Sequence, residues 1–346
     1  MRYGKHKLRT VLSVAALAWA FSFGAFAQDY DKKEFKEAFP EKELPFVGDY
    51  VGRWNEIEKI NPEVAAQVFA QGGDKYRIRI TARLDMRAPI QLDIIAKAKR
   101  GKINFKEGDF YGEISKNGTF TGGRGKEHVF TMEKTKRSSK YMHLRPPEGA
   151  EAEVLYDGNG FGAWQDDFEG WVELDKGVMM VTPDGGYLIS KNTYTDLTLH
   201  VEFRLSHMPK ARGQQRSNSG VFISDEYEIQ VLDSYGLDGL FNECGAVYKT
   251  SAPRVNATFP PLQWQTYDIT FINAKYDDAG KLIANPRVTV WHNEVLIHSD
   301  EELPWVPGYS AEDRSEAHHR EPGHIRLQGH HNFVQYRNVW VRDDRK

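Results

Sequence analysis

Two side chains able to do chemistry lie close together in the segment Tyr227–Asp233. Residues two apart in an extended strand point to the same face at a spacing of about 6.5–7 Å, so Glu228 and Gln230 share a face. The alternating residues are apolar and are expected in the core: Tyr227, Ile229 and Val231. An amide donates and accepts hydrogen bonds, and a carboxylate accepts them from hydroxyl groups or takes a proton. The pair predicts a sugar-binding position; the alternative is two solvated residues on the outer face of a strand.

A second carboxylate ends this strand. Asp233 is five positions from Glu228, which places the two side chains on opposite faces of a straight strand. Glycosidases with paired carboxylates hold the two groups about 5–9 Å apart around one bond. The motif therefore does not clearly supply such a pair, and Asp233 is either a ligand for substrate or a turn residue.

Other polar residues are candidates for binding substrate. Asn218 precedes Ser219-Gly220, where it either donates to a sugar oxygen or forms a turn that opens a strand. Tyr248 and Lys249 follow Gly245-Ala246, and Lys249 either polarises a carbonyl group or is a surface lysine.

Histidines are frequent near the C-terminus. An imidazole titrates near neutral pH, so His330 is a candidate acid or base. The clustering raises the possibility of a metal, but no spacing matches a known ligand set, and we predict neither a metal nor a cofactor. The five residues are His318, His319, His324, His330 and His331.

The elements that carry these residues are predicted to be β-strands. No helical period is sustained after residue 150, and many short strands suggest two packed antiparallel sheets. The predicted strands are Leu197–Leu205, Ser219–Ser224, Tyr227–Asp233, Thr266–Phe271, Arg287–Trp291, Val295–Ser299, Gly323–Gln328 and Val334–Arg342.

The N-terminal half is also predicted to be β-rich. Alternation of polar and apolar residues begins near Phe46, for example over Tyr76–Ile80, and indicates a small β-meander or barrel over residues 46–140. Asn117-Gly118 predicts a hairpin with a type I′ turn. Residues 28–45 are a charged leader or short helix, and residues 141–152, which contain Pro146-Pro147, are a linker to a second domain over residues 153–346.

The N-terminus predicts export. Basic residues precede an apolar stretch from Val11 to Phe26 that ends in Ala25-Phe26-Ala27, which is typical of a secretory signal peptide over residues 1–27. We therefore expect a periplasmic or secreted protein without a membrane span. Removal of this segment takes away four basic residues and changes the formal net charge from −3 to −7, which argues against nucleic acid as a partner. Cys244 is the only cysteine, so no intramolecular disulfide is possible, and the oligomeric state is left open.

The second domain resembles the 3-keto-disaccharide hydrolases, a family with a concanavalin A-like jelly-roll fold. Two departures are Gln265, where the family commonly has Asn, and His292-Asn293-Glu294 in place of an Asn-Gly hairpin. The matching segments run in order from residue 153 to residue 342: Leu155–Gly158, Thr195–Arg204, Asn218–Phe222, Tyr227–Asp233, Gly245–Tyr248, Trp264, Gly323–His330 and Arg337–Val339.

The resemblance implies an all-β protein that acts on glycosides already oxidised to a ketone at sugar carbon 3. The ketone acidifies the hydrogen on carbon 2, so a base can remove it and the group on carbon 1 can leave. On this reading Glu228 is the base and His330 the proton donor. The residues expected to bind sugar and enolate oxygens are Arg204, Asn218, Gln230, Asp233, Tyr248 and Lys249. Two alternatives remain: a carbohydrate-binding module without activity, since sandwich folds also host lectins, and a conventional hydrolase that pairs Glu228 with Glu226 or Asp233.

Overall fold

The computed structural model describes residues 30–55, 63–84, 86–148, 151–306, 318 and 321–345. The predicted signal peptide lies outside these residues. Within the leader, helix α1 covers Lys32–Ala38, and Asp31 caps it by accepting the backbone N–H groups of Lys33 and Glu34. The helix packs Phe35 and Phe39 near Phe333 of the C-terminal domain.

A closed antiparallel barrel forms the N-terminal domain. Its interior is filled by alternating apolar residues such as Tyr50, Ile78, Ile80, Ile114 and Phe120. Each strand pairs with the next along the chain, and the first also pairs with the last. The eight strands found in the described residues are β1 Gly48–Trp54, β2 Glu63–Gly72, β3 Lys75–Thr81, β4 Leu92–Lys99, β5 Lys102–Glu107, β6 Phe110–Ser115, β7 Thr119–Arg124 and β8 His128–Thr135.

The predicted hairpin joins β6 to β7, but its turn differs from the prediction. Three residues connect the strands, Gly118 donates its N–H to the carbonyl of Ser115, and only Gly118 has a positive φ, of 98°. A type I′ turn needs positive φ at both central residues. The connection is therefore a three-residue loop with Gly118 as its last residue. The side chain of Asn117 accepts a hydrogen bond from the N–H of Thr119 within this loop.

Two antiparallel sheets form the C-terminal sandwich, which confirms the predicted all-β class. A two-stranded ribbon of β17 (Lys275–Tyr276) and β18 (Leu282–Ala284) lies apart from them. The large sheet contains β9 Ala152–Tyr156, β10 Trp171–Leu174, β11 Val178–Val181, β13 Leu197–Leu205, β16 Trp264–Ile272, β19 Arg287–His292, β20 Val295–Glu302 and β22 Val334–Asp343. The small sheet has the order β12 Leu188–Tyr194, β21 Gly323–Leu327, β14 Ser219–Ile223 and β15 Tyr227–Val231.

One hydrophobic core lies between the two sheets. Strand β13 contributes Phe203 and Leu205 to it, and β15 contributes Tyr227, Ile229 and Val231. Because side chains alternate along a strand, the residues between these point to the outer face of their own sheet. This alternation separates the candidate site residues onto two different surfaces.

The outer face of the large sheet is covered by the chain that leads from the barrel. The carbonyl of Leu144 accepts hydrogen bonds from Asn338 Nδ2 at 3.0 Å and Trp340 Nε1 at 2.9 Å. The backbone N–H of His143 bonds to the Glu202 carboxylate. None of the helices in the described part of the chain is long and apolar enough to cross a membrane.

Candidate active site

A row of side chains crosses the outer face of the small sheet. Glu228 on β15 pairs with Phe222 on β14, and Phe222 pairs with Arg326 on β21. The neighbouring residues Val221, Ile229 and Ile325 all lie in the core, so the three members of the row point the other way. The predicted alternation of β15 places a carboxylate on this face, and the sheet order adds a cation to it.

Glu228 is more deeply covered than an open sheet face would leave it, with 7% of its surface exposed. Burial raises the pKa of its carboxyl group to about 8, and the positive charges of Arg326 and Lys249 offset part of that rise. No side chain in the described residues donates a hydrogen bond to the carboxylate. A carboxyl group with a pKa near the working pH can accept and return a proton.

Gly220 makes room for this carboxylate. A Cβ placed on residue 220 would lie 2.3 Å from Glu228 Oε1 and 2.9 Å from its carboxyl carbon. The absence of a side chain there is therefore a steric requirement of the site, since Gly220 does not have a positive φ.

Arg326 is held in place by two aromatic rings. Its guanidinium carbon lies 4.8 Å from the ring centre of Tyr187 and 4.9 Å from that of Phe222. It also bonds to the backbone oxygen of Asp225 and lies 3.6 Å from the carboxylate of the same residue. Tyr187 is 40% exposed and accepts a 3.2 Å hydrogen bond from Gln328 Nε2, so this end of the row faces solvent.

Arg326, Gln328 and Tyr187 were not among the predicted site residues. The alternation of Ile325 and Leu327 in the predicted strand Gly323–Gln328 could have placed Arg326 and Gln328 on an outer face. Nothing in the sequence indicated that this strand and the strand of Glu228 lie on either side of the same strand, β14.

Three amide side chains meet at one end of the site: Gln214, Asn218 and Gln230. Gln214 Oε1 accepts hydrogen bonds from Gln230 Nε2 at 3.0 Å and from Asn218 Nδ2 at 3.3 Å. Gln214 Nε2 donates to the carbonyl of Asn242 at 2.6 Å. The remaining amide oxygens of Gln230 and Asn218 are buried without a hydrogen-bond partner among the described residues. Buried polar atoms are normally satisfied, so these two acceptors are suited to bind the hydroxyl groups of a ligand.

Tyr248 and Lys249 lie at the edge of the sheet next to Glu228. Val247 forms an isolated β-bridge with Ile229, and the N–H of Tyr248 donates to the carbonyl of Glu228 at 2.9 Å. This pairing places Tyr248 opposite Glu228 and brings the charge of Lys249 near the carboxylate. The structure thus groups these two predicted residues with Glu228.

Asp233 does not lie on this surface. Its side chain is fully buried and forms an ion pair of 2.7 Å with Arg216 Nε, while its other oxygen accepts the N–H of Tyr235. Both carboxylate oxygens are engaged inside the protein, so the assignment of Asp233 to substrate binding is corrected to a structural ion pair.

Arg204 lies on the opposite side of the molecule, which corrects its assignment as well. Its neighbours Phe203 and Leu205 point into the core, so Arg204 projects from the outer face of the large sheet. The guanidinium lies 5.2 Å from the ring centres of both Phe39 and Trp264, and Nε bonds to Gln335 Oε1 at 2.8 Å. The thickness of the sandwich separates it from Glu228.

His330 lies in the loop that follows β21. The same loop contributes Asn332, whose side chain accepts the backbone N–H of Asn218 at 2.8 Å, so the loop is at the amide end of the site. The ring of His330 lies 5.7 Å from that of His331 in an edge-on arrangement. Across the described residues no group of three or more His, Cys, Asp or Glu side chains is positioned to hold a metal ion.

Two open cavities lie away from Glu228. One of about 650 Å³ is on the barrel, lined by residues such as Lys106, Tyr111 and Glu113. The other, of about 620 Å³, is between α1 and the sandwich and includes His207 and Asn332. Glu228 lines neither of these two cavities.

Comparison with known proteins indicates a carbohydrate-active enzyme. The sequence profile of the family described as 3-keto-alpha-glucoside-1,2-lyase-like domain matches residues 151–342. A solved structure of a candidate glycosyl hydrolase from Parabacteroides distasonis is 30% identical in sequence and has a TM-score of 0.51. The similarity covers 56% of this chain and 83% of the chain of that hydrolase. No curated protein matches the sequence.

Two more solved structures of candidate glycosyl hydrolases from Parabacteroides distasonis are similar to the same share of the chain, 56% in each case. Their identities are 17% and 21%, they are covered over 93% and 99% of their lengths, and both have a TM-score of 0.40.

The sandwich, its candidate site and the family match define a carbohydrate-active enzyme. The match covers more than half of the chain and confirms the resemblance found in the sequence. The protein belongs to the family of 3-keto-alpha-glucoside-1,2-lyase-like domains.

Proposed function

We propose that this protein cleaves 3-keto-glycosides by removing the proton on sugar carbon 2 and then eliminating the group on carbon 1. Family membership supports the substrate class, and the surroundings of Glu228 support the type of reaction. A nearly buried carboxyl group with a raised pKa, beside an arginine and a lysine, suits proton transfer next to a carbonyl group.

The first step breaks the C2–H bond. Glu228 takes the proton, and the electron pair forms the C2=C3 bond of an enolate whose negative charge lies on the oxygen of carbon 3. The C3=O bond then re-forms, a C1=C2 double bond appears, and the C1–O bond breaks. The departing oxygen takes a proton from an acid. One water molecule then adds across the C1=C2 bond, its hydroxyl group to carbon 1 and a proton to carbon 2, and this gives the free 3-keto sugar.

Positive charge next to the base stabilises the enolate. Arg326 is fixed by two rings and by Asp225, so it needs little reorganisation when negative charge develops. Lys249 supplies a second positive charge on the other side of Glu228. We assign the enolate oxygen to the space between these cations.

The amide groups position the sugar. In this proposal the free oxygens of Gln230 and Asn218 accept hydrogen bonds from the sugar hydroxyl groups, and the exposed ring of Tyr187 stacks on a sugar face. His330, which lies at the amide end of the sheet, donates the proton to the leaving group, and Tyr248 contacts the sugar beside Glu228.

One observation carries the proposal: Glu228 and Arg326 lie in a single row on the outer face of the small sheet, with Gly220 clearing the space for the carboxylate. A conventional pair of carboxylates finds less support, because Asp233 is engaged with Arg216.

The test compares a 3-keto-glucoside with the matching unoxidised glucoside, following release of the leaving group. We expect release from the keto compound alone, and a loss of about 10²–10⁴-fold in kcat for Glu228→Gln. Glu226→Gln, two positions away on the same segment, is the matched control and should keep its activity.

The remaining outcomes of this comparison each point to a different function. Release from the ordinary glucoside alone would reject the elimination mechanism, and loss of activity in both glutamate variants would favour a paired-carboxylate hydrolase. Calorimetric binding of glycans without turnover of either compound would favour a binding module.

We also infer that the protein is exported to the periplasm or secreted, since residues 1–27 have the pattern of a signal peptide. Sequencing the N-terminus of the protein recovered from the producing cells tests this: the mature chain should begin at Gln28. A chain that retains its first residues inside the cell would contradict export.

A further inference from the structure

The N-terminal barrel contacts a loop of the sandwich that lies beside the candidate site. Phe69 on β2 lies 5.8 Å from the guanidinium carbon of Arg216 and is itself 1% exposed. Arg212 donates to the carbonyl of Gln71 at 3.0 Å. Arg216 also forms the buried ion pair with Asp233, so residues 206–218 are fixed by the barrel on one side and by the sandwich on the other.

This first loop carries the amides of the site. Gln214 lies between Arg212 and Arg216 and accepts hydrogen bonds from both Gln230 and Asn218. A displacement of the loop therefore changes the positions of the groups expected to bind sugar hydroxyls.

A second loop, residues 234–258, is held by arginines of the barrel. Arg79 donates to the carbonyl of Gly236 at 2.6 Å and pairs with Asp238 at 2.6 Å. Arg87 donates to three backbone carbonyls at 2.8 Å, those of Gly239, Pro253 and Arg254. Charged donors to backbone carbonyls form strong and directional hydrogen bonds, so they set the position of this loop as well.

The second loop carries the other wall of the site. Lys249 donates its N–H to the carbonyl of Phe241, and Tyr248 pairs with Glu228. Gln214 of the first loop donates to the carbonyl of Asn242, so the two loops are also joined to each other.

Phe69 of the barrel touches both loops. The ring of Phe69 packs edge-on against Tyr235 at 6.1 Å, and a Cβ on Gly236 would lie 2.5 Å from a ring carbon. Gly236 has a φ of +74°, so both its conformation and this contact favour glycine.

We propose that the N-terminal barrel is a clamp that holds residues 206–218 and 234–258 in the geometry that binds substrate. This inference rests on the proposed function for its substrate and assigns a role to a domain that lies outside the family match. Phe69, Arg79 and Arg87 act through the loops and are positioning residues. The base Glu228 and the cation Arg326 lie on strands of the sheet, and of the groups assigned to the enolate only Lys249 lies on a clamped loop. Release of the clamp therefore alters binding more than the chemical step.

The first variant is Arg87→Ala, with Arg124→Ala as its control. The Arg87 side chain is exposed and bonds to carbonyls of the other domain, so its loss leaves the barrel core intact. Arg124 is an exposed barrel arginine that stacks on Phe110. The second variant is Phe69→Leu, which removes a ring that contacts the loops. Its control is Phe105→Leu, which removes a ring that packs against Phe120 inside the barrel.

Hydrogen exchange of the full-length protein without substrate is the first measurement. We expect amide exchange in residues 209–216 and 236–243 to be about tenfold faster in Arg87→Ala and Phe69→Leu, and unchanged in both controls. With a 3-keto-glucoside, KM should rise about tenfold in the clamp variants while kcat changes less than about threefold.

Unchanged exchange in both clamp variants would overturn the clamp, as would faster exchange with an unchanged KM. The exchange experiment is independent of turnover. If the parent protein releases nothing from the keto-glucoside, the proposed function fails, while exchange alone still decides whether the barrel restrains the loops.

Discussion

Glu228 Oε1 occupies the space that a Cβ on residue 220 would need, because such a Cβ would lie 2.3 Å from it. The two residues lie on adjacent strands, β15 and β14. A glycine on one strand therefore sets where the carboxylate of the next strand can lie.

Replacing this glycine should disable the site without unfolding the sandwich. The backbone of residue 220 accepts an alanine, but Gly220→Ala forces the carboxylate away from its position. Displacement of a catalytic group by about 1 Å can cost about 10²-fold, and we expect a loss of that size in kcat/KM. Gly162→Ala is the control, because a Cβ there meets nothing within 4 Å. Equal activity in the two variants would show that the carboxylate has room to move.

The pH dependence of turnover should report the raised pKa of Glu228. A base must be deprotonated, so kcat/KM is expected to rise about tenfold per pH unit below a pKa of about 8 and to level off above it. The pH profile of kcat/KM for a 3-keto-glucoside is the measurement. A profile that is flat from pH 5 to pH 9 would exclude Glu228 as the base.

The stability of the folded protein should also depend on pH through Glu228, but it should fall with rising pH where the activity rises. The folded-state pKa of Glu228 is about 8 and its ordinary value is 4.5, so its contribution to stability falls as the pH rises between these values. Glu228→Gln removes the titrating group, and its Tm should exceed that of the parent above pH 8. Tm curves that run parallel across pH for the two proteins would contradict the raised pKa.

Arg326 should matter to both the rate and the pH profile. Its positive charge lowers the pKa of Glu228, so Arg326→Met should move the rising limb of the profile to higher pH. Loss of the cation next to the enolate should also reduce kcat by about 10²-fold. Arg287→Met, which removes an exposed arginine of the large sheet, is the matched control. A normal kcat with an unshifted profile would remove Arg326 from the mechanism.

Arg204 should affect stability and not catalysis. It lies on the outer face of the large sheet between Phe39 and Trp264, and each such cation–ring contact contributes about 0.5–2 kcal/mol. Arg204→Met should therefore lower Tm and leave kcat/KM within about twofold of the parent value. A large loss of activity at an unchanged Tm would mean that the site extends to the other sheet.

Much of the fold could be predicted from local patterns. The alternation in Tyr227–Asp233 predicted a strand with Tyr227, Ile229 and Val231 in the core, and the structure has this strand, which ends at Val231. Leu197–Leu205 was also predicted as a strand and is one. The Asn117-Gly118 hairpin was also located, although its loop is one residue longer than predicted.

The candidate site could be predicted only in part, because it depends on which strands become neighbours. Arg326 is about a hundred positions from Glu228 in the chain, and only the order of the small sheet places them in one row. Arg204 was grouped with Glu228 because of the family resemblance, yet its strand belongs to the large sheet and that of Glu228 to the small sheet. Asp233 turned inward because Arg216 pairs with it across a loop.

The sequence by itself determined the β-rich character of both domains, the strand that begins at Tyr227 with its apolar side in the core, and the position of Glu228 on the other side of that strand, since these follow from apolar spacing along the chain. Tertiary structure alone decided that this carboxylate is nearly buried, lies in one row with Arg326 and has a raised pKa. The physical reason is that desolvation and charge pairing depend on distances in space between residues far apart in the chain.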